Sequence, residues 1–160
     1  MAYNLTDSLV GAQAIATTST VQQHTLGKRV TAYDPTYGEG EFIYLAGLAS
    51  TAVGEVCAYD EKAGTTVRVV AATRGPVAVA MSANVASQYG WYQLLGSAVV
   101  KAGTVAAGAA AFSTATAGTI DDAVVAGSKI DGMVTKTADG TPSAGFAVCQ
   151  IAYPSLNGNG

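Results

Sequence analysis

Residues 29–48, RVTAYDPTYGEGEFIYLAGL, contain two runs of strand-favouring residues with a turn between them. Valine, isoleucine, threonine and aromatic residues fit a pleated, half-buried surface, and they are concentrated in residues 29–33 and 41–48. In the connecting residues 34–38, proline fixes φ and the closing glycine permits a positive φ. The stretch therefore predicts two strands joined by a tight turn.

The second of these runs is apolar on both sides. Successive side chains of a strand point to opposite faces, so Phe42 and Tyr44 share one face while Ile43 and Leu45 share the other. A strand with two apolar faces is buried on both of them. We expect it to lie centrally in a sandwich or against another subunit.

From residue 27 onward the chain repeats this pattern of short β-type runs separated by Gly, Asp, Pro and Ser. The further candidate strands are residues 55–59, 66–72, 77–82, 91–95, 98–101, 110–114, 130–136 and 146–153. Residues 60–64 and 139–142 carry turn signals, whereas residues 121–127 fit a short helix or a loop as well as a strand. The sequence predicts an all-β fold, a compact β-sandwich or β-barrel of about 8–10 short strands, over residues 26–160.

The first 25 residues differ from the rest in composition. They are rich in Ala, Thr, Ser and Gln, and their apolar side chains are too sparse for an independent core. We interpret residues 1–25 as an extended N-terminal arm that becomes ordered on a neighbouring molecule. A frayed terminus is the alternative interpretation.

The overall composition points to a subunit of an assembly. Only 12% of the 160 residues are charged, against about 25% in a typical soluble domain, while 49% are hydrophobic. The eight basic residues are scattered and the net charge is −3, which argues against nucleic-acid binding. No stretch resembles the roughly 20 apolar residues of a membrane-spanning helix.

The two cysteines, Cys57 and Cys149, lie far apart in apolar, β-type runs. We expect two buried free thiols, with a disulfide as the alternative. The N-terminus lacks the pattern of a signal peptide, so we expect synthesis in a reducing cytoplasm.

Residues able to support catalysis are few. The single histidine, His24, lies in a polar stretch, and we expect it to be solvated or to pack rather than to act as a base. Two carboxylate pairs, Glu39 with Glu41 and Asp121 with Asp122, leave a carboxylate-only hydrolase as the enzymatic alternative. We predict that the protein is not an enzyme and binds no cofactor or metal.

The aromatic residues are concentrated in the middle third of the chain, where they form either an ordinary core or a contact patch. Together with the apolar residues of the arm they are our candidate contact residues. These are Tyr3, Leu5, Leu9, Val10, Ile15, Val21, Tyr37, Phe42, Tyr44, Trp91 and Tyr92.

Residues 90–104, GWYQLLGSAVVKAGT, combine a G-[YW]-x-Q-hydrophobic-x-G-x-A run with a strand that ends in K-A-G. This run resembles the small head decoration, or cement, proteins of tailed bacteriophages. AGTIDD at residues 117–122, IDG at 130–132 and the stretch at 26–47 are similar too, so the resemblance extends over residues 26–153.

The resemblance implies a β-rich structural virion protein that binds the outside of a phage head and stabilises contacts between capsid subunits. Its implied partners are the major capsid protein and other copies of itself, commonly as a homotrimer. Its implied location is the capsid exterior, after synthesis in the host cytoplasm. The alternative is a receptor- or glycan-binding domain at the tip of a head fibre or tail, which predicts exposed Tyr and Trp in a concave site.

Overall fold

The hairpin predicted from residues 29–48 is present in the structure, a computed structural model that describes residues 3–6 and 11–158. Its strands are β3 (Arg29–Asp34) and β4 (Gly38–Ala46), paired antiparallel. Asp34 Oδ1 accepts hydrogen bonds from the backbone N–H groups of Thr36 (2.7 Å) and Tyr37 (3.0 Å), and Gly38 has a φ of 81°. The aspartate and the left-handed glycine together close the turn.

Twelve strands and no helix occur in the described part of the chain. Besides β3 and β4 they are β1 (Asn4–Leu5), β2 (Thr18–Ser19), β5 (Val56–Asp60), β6 (Thr65–Arg68), β7 (Gly75–Ala80), β8 (Tyr89–Lys101), β9 (Ala110–Ser113), β10 (Ile120–Asp121), β11 (Lys129–Thr135) and β12 (Phe146–Leu156). The all-β prediction is confirmed. The predicted strand count is too low because β1, β2 and β10 have two residues each, too few for a recognisable pattern.

The strands form one large antiparallel sheet in the order β1-β3-β4-β8-β7-β12-β11-β9-β10, with β2 on β8, and with β5 and β6 extending from β7. The sheet is not closed into a barrel and is compatible with a sandwich-like fold. Residues 121–127, for which the sequence leaves helix, loop and strand open, leave β10 at Asp121 and continue as a loop. No helix suited to crossing a membrane is found within the described residues.

The strand β8 holds the sheet together because it pairs with three long neighbours. The sequence predicts two strands here, but the structure has one 13-residue strand whose first half pairs with β4 and β7 and whose second half pairs with β12. Gly96, which separates the two predicted runs, has a φ of 105° and lies beside the backbone carbonyl of Glu39. A glycine is needed at this close approach, and it does not end the strand.

The core consists of three clusters, and they confirm the predicted burial on both sides for residues 42–45, whereas Leu48, beyond the end of the strand, is 36% exposed. Phe42 and Tyr44 of β4 belong to an aromatic cluster with Trp91, whereas Ile43 and Leu45 belong to a cluster on the opposite side. The third and largest cluster is built mainly of Val, Ala and Ile from β5, β7, β8, β11 and β12. Cys57 and Cys149 are free and buried, as predicted.

The N-terminal arm packs on its own chain wherever the structure describes it. Ile15 is only 2% exposed and belongs to the aromatic cluster, while β1 pairs with β3 and β2 pairs with β8. The expectation of an extended arm that becomes ordered on a neighbour is therefore corrected for residues 3–6 and 11–25. Trp91 and Tyr44 supply the apolar surface and hydrogen-bonding partners that order this segment.

Candidate contact surface

The strand β8 is bulged, and the bulge changes which residues point to each of its faces. Trp91 lies opposite Tyr44, but Leu95 lies opposite Glu41, which is on the other face of β4. Trp91 is buried under residues 11–25, whereas Leu95 is 36% exposed. On the face that Leu95 occupies, β8 is buried at Tyr92 and exposed at Leu95.

Strands β12 and β11 continue this exposed side. In the β8–β12 pair Leu95 lies opposite Ala152 and Val99 lies opposite Val148, and Val134 of β11 lies opposite Gln150. Residues that lie directly opposite each other share one face of a sheet. The outer face, as we name it, consists of Leu95, Ser97, Val99, Val134, Lys136, Phe146, Val148, Gln150 and Ala152.

The outer face is mainly apolar, although it lies on the side away from the large core cluster. An antiparallel sheet with one face on a core normally presents polar side chains on the other. Here Val134 is 47% exposed, whereas Ser97 and Val99 are buried. The polar positions are Ser97, Gln150 and Lys136, and a further charged side chain, Lys101, lies opposite Phe146 on the same face. Lys136 Nζ donates a hydrogen bond to Ser97 Oγ at 3.1 Å, so its stem lies across the face. An apolar surface with a sparse polar content is typical of a protein contact site.

A shallow concavity of about 230 Å³ adjoins the outer face at the far end of β8. It is lined by Tyr37, Val53, Val99, Pro142, Ser143 and Phe146. Val99 and Phe146 belong both to this concavity and to the outer face. Val53, at the rim of the concavity, is 42% exposed. Its volume lies below the roughly 300–1,000 Å³ of small-molecule sites, so it suits a protruding side chain of a partner.

The opposite end of the outer face carries Tyr153, whose backbone has a left-handed φ of 46°. β12 is bulged here, because Asp131 and Met133 of β11 lie opposite Ser155 and Ile151. Tyr153 Oη donates a 2.5 Å hydrogen bond to Glu41 Oε2, and the Arg29 guanidinium lies 5.9 Å from the ring centre. The hydrogen bond to the Glu41 carboxylate raises the pKa of Tyr153. Bulges commonly turn a side chain outward, and this ring is 49% exposed.

The candidate contact residues from the sequence divide between core and surface. Phe42, Tyr44, Trp91 and Tyr92 are fully buried within the chain, and so is nearly all of Ile15. Burial disfavours these five as contact residues, because their side chains are already enclosed by their own chain. Tyr3, Leu5 and Tyr37 are partly buried, with Tyr37 on the concavity, whereas Val21 is 66% exposed. Leu9 and Val10 lie outside the described residues.

Glu55 is a fully buried carboxylate that joins three parts of the sheet. Arg68 of β6 donates to both of its oxygens, at 2.6 and 2.7 Å, and Lys101 Nζ donates at 2.9 Å. The backbone N–H of Ala52 is a fourth donor at 3.2 Å. Burial by itself would raise the pKa of Glu55, but the hydrogen bonds from Arg68 and Lys101 outweigh burial and lower it. With its oxygens saturated by protein donors, Glu55 is suited to holding strands together.

Three of the four carboxylates considered for catalysis are occupied by local contacts. Glu41 binds Arg29 (3.3 Å) and Tyr153, while Asp121 Oδ1 accepts the N–H of Ala123 and Asp122 Oδ2 accepts that of Ala106. Among the described residues, no group of three or more His, Cys, Asp or Glu side chains is arranged to hold a metal ion.

A larger open concavity of about 430 Å³ lies on the other side of the molecule, at β5 and β6. Val67, 56% exposed, and Tyr59 contribute to its wall, and Arg74 lies at its edge. The Arg74 guanidinium is bonded to the backbone carbonyls of Ala71 and Thr73, so it closes its own turn.

Sequence reasoning missed the residues that dominate the exposed surface, chiefly Leu95, Val134 and Tyr153. The sequence does contain a signal for Leu95, because residues 90–95 are nonpolar on both faces of the predicted strand. The β12 sequence FAVCQIAY is likewise apolar at both alternating sets of positions. The bulge that turns Tyr153 outward depends on pairing with β11 and has no local sequence pattern.

The chain matches no protein-family model, no curated protein and no solved structure.

Proposed function

We propose that the protein is a structural virion protein that binds the outside of a phage head and stabilises contacts between capsid subunits. The outer face carries this proposal, since it is a mainly apolar sheet surface on which Leu95, Val134 and Ala152 are exposed. The 90–104 run that resembles decoration proteins forms β8 and the turn after it, so it supplies Leu95, Ser97 and Val99 to that face. The proposed role is not enzymatic and involves neither nucleic acid, membrane nor cofactor.

The proposed partners are the major capsid protein and other copies of this chain, as a homotrimer on the capsid exterior. Modest individual contacts become strong when several copies attach together, because each later contact is intramolecular. Closed symmetry repeats the same contact around the assembly. The low charge of the chain is consistent with a surface that is partly covered in this way.

Self-association is supported by the charges at the two sides of the outer face. Glu39 shares a face of β4 with Glu41, which lies opposite Leu95, and Lys136 lies on the β11 side. Within the described part of the chain neither Glu39 nor Lys136 forms an ion pair. An arrangement of identical copies in which the Lys136 side of one copy approaches the Glu39 side of the next would pair these two charges.

The test is binding to purified heads that lack this protein, from the phage that encodes it. Val134→Glu and Leu95→Glu each place a charge on the outer face, and we expect loss of head occupancy in sedimentation assays and in cryo-electron microscopy. Val67→Glu is the matched control, an exposed strand valine far along the sheet, and it should bind like wild type. Full occupancy with the outer-face variants, or no binding by the wild type, would overturn the proposal.

A glycan- or receptor-binding tip domain is the second candidate, and Tyr153 is the observation that favours it. An exposed aromatic ring beside a carboxylate and a guanidinium offers both a stacking surface and hydrogen-bonding groups for a sugar. Trp91 and Tyr92, the aromatic residues first considered for such a site, are buried. Binding of the wild type to host-surface polysaccharide, abolished in Tyr153→Ala and retained in Val134→Glu, would favour this candidate over head binding.

A further inference from the structure

The imidazole of His24 connects two parts of the N-terminal segment to the sheet. Its Nε2 accepts a hydrogen bond from the backbone N–H of Gln13 at 3.1 Å. Its ring centre lies 5.0 Å from that of Tyr44, edge to face, and 5.4 Å from that of Trp91. His24 is thus a packing histidine, one of the two roles expected from the sequence.

Gln13, the residue that His24 holds, is bonded through every polar group it has. Its side-chain oxygen accepts from Tyr44 Oη (2.9 Å) and its backbone carbonyl accepts from Trp91 Nε1 (2.9 Å). Its side-chain nitrogen donates to the carbonyls of Thr17 (2.7 Å) and Tyr89 (3.1 Å). Gln13 thus makes most of the side-chain hydrogen bonds that attach residues 11–25 to β4 and β8, beside the short β2–β8 pairing and the hydrogen bond from Gln23 N–H to Tyr44 Oη.

The geometry requires a neutral imidazole. A backbone N–H can only donate, so His24 Nε2 must offer a lone pair and the ring proton must lie on Nδ1. Uptake of a proton from solvent by Nε2 converts this acceptor into a donor that faces the Gln13 N–H. The hydrogen bond is then lost and replaced by a contact between two donors.

The surroundings of His24 do not favour its charged form. Burial, followed by the positive charge of Lys28, lowers the pKa of His24. The other titratable group that packs against its ring is the phenol of Tyr44 on β4, whose pKa is raised by burial and which is neutral in mildly acidic solution. In the described part of the chain no carboxylate forms an ion pair with the imidazole.

We propose that His24 is a pH-operated latch, whose protonation in mildly acidic solution releases residues 11–25 from β4 and β8 and uncovers the aromatic surface around Tyr44 and Trp91. The opening is local, because the large core cluster contains no residue of 11–25 and none of β4. This inference is independent of the proposed function, since it needs no capsid and is measured on the isolated chain.

The test follows amide hydrogen exchange of residues 11–25 from neutral to mildly acidic pH, corrected for the intrinsic pH dependence of exchange. In the wild type the population of the open segment should rise tenfold for each unit by which the pKa of His24 differs between the open and closed forms. In His24→Gln, whose side chain offers an acceptor oxygen and does not titrate, the protection of the segment should not change with pH. Amides of β12 serve as the internal control and should stay protected in both proteins.

Two further measurements keep the test decisive if the His24→Gln variant folds poorly. Lys28→Ala removes the nearby positive charge, so the transition should move to higher pH. Trp91 is the chain's single tryptophan, and its fluorescence should change over the same pH range as the exchange. The latch is refuted if the His24 resonances titrate while residues 11–25 stay protected, or if wild type and His24→Gln open alike.

Discussion

Glu55 shows how one residue can matter more for stability than the exposed charges around it. Its carboxylate is fully buried and accepts four hydrogen bonds, two of them from Arg68. Glu61, in contrast, is exposed and pairs with Arg29 at 3.0 Å in solvent. Pairs of the second kind contribute at most about 1 kcal/mol, because water screens them and side-chain entropy opposes them.

We predict that Glu55→Gln lowers the free energy of unfolding by roughly 2–4 kcal/mol, because Arg68 and Lys101 lose the charge that compensates for their partial burial. Glu61→Gln is the matched control and should change it by no more than about 0.5 kcal/mol. Chemical denaturation followed by circular dichroism measures both. Equal effects of the two substitutions would contradict the structural role of Glu55.

The lowered pKa of Glu55 also predicts a pH dependence. A carboxyl group whose pKa is lower in the folded than in the unfolded chain stabilises the fold above its unfolded-state pKa, and this contribution is lost as pH falls through the folded-state pKa. We therefore expect the difference in unfolding free energy between wild type and Glu55→Gln to be constant near neutral pH and to shrink below the ordinary pKa of 4.5. A difference that does not shrink in acid would contradict this prediction.

At the scale of elements, the N-terminal segment belongs to the folded domain. Ile15 lies in the aromatic cluster and Gln13 bonds to both β4 and β8, although residues 11–25 contain only two residues in a strand. The segment is held by side-chain packing and by hydrogen bonds rather than by a sheet ladder. This explains why a composition poor in apolar residues can still be ordered.

We predict that Ile15→Ala lowers the free energy of unfolding by about 2–5 kcal/mol, the usual cost of emptying a buried site. Val21→Ala, in the same segment but 66% exposed, should change it by less than about 0.5 kcal/mol. Denaturation followed by Trp91 fluorescence reports directly on this cluster. If Ile15→Ala proved as harmless as Val21→Ala, residues 11–25 would not be part of the folded domain.

At the scale of the whole molecule, the outer face gives the protein two different sides. The face of β8 that Leu95 occupies is buried at Tyr92 and exposed at Leu95, and its exposed part continues onto β12 and β11. A chain with this surface is expected to meet other subunits rather than to remain alone. We propose that contacts between Glu39 of one copy and Lys136 of the next set the orientation of such an assembly.

We predict that Glu39→Lys and Lys136→Glu each weaken self-association by about tenfold or more, because each creates a like-charge contact between copies. The double variant Glu39→Lys/Lys136→Glu should recover most of the wild-type affinity, since the charges are exchanged. Sedimentation equilibrium measures the dissociation constant and the number of copies. A wild-type chain that stays monomeric at about 100 μM, where a micromolar contact would be nearly saturated, would contradict the interface.

Several features of the fold were predictable because they depend on neighbours in sequence. The turn at Asp34–Gly38 closes through hydrogen bonds to an aspartate two and three residues away. The double burial of β4 follows from alternation alone, and the free thiols follow from their apolar surroundings. The strand β8 was divided wrongly at Gly96, because a glycine required by close packing looks in sequence like one that ends a strand.

The candidate contact surface was predictable only in part. Tyr37, one of the candidate contact residues, lies on its concavity. Four other candidates, Phe42, Tyr44, Trp91 and Tyr92, are enclosed by their own chain, and the sequence does not show which large apolar residues are enclosed. Period-two alternation says that two residues lie on opposite faces, not what covers each face.

The sequence by itself determined the all-β character, most strand positions, the turns and the low charge that points to assembly. These properties depend on local backbone preference and on composition. Only the tertiary structure decided that residues 11–25 cover Trp91, that Glu55 is neutralised by Arg68 and Lys101, and that Leu95 and Val134 share an exposed face. Each of these depends on pairing between strands far apart in the chain, where the register, rather than the residues alone, places side chains together.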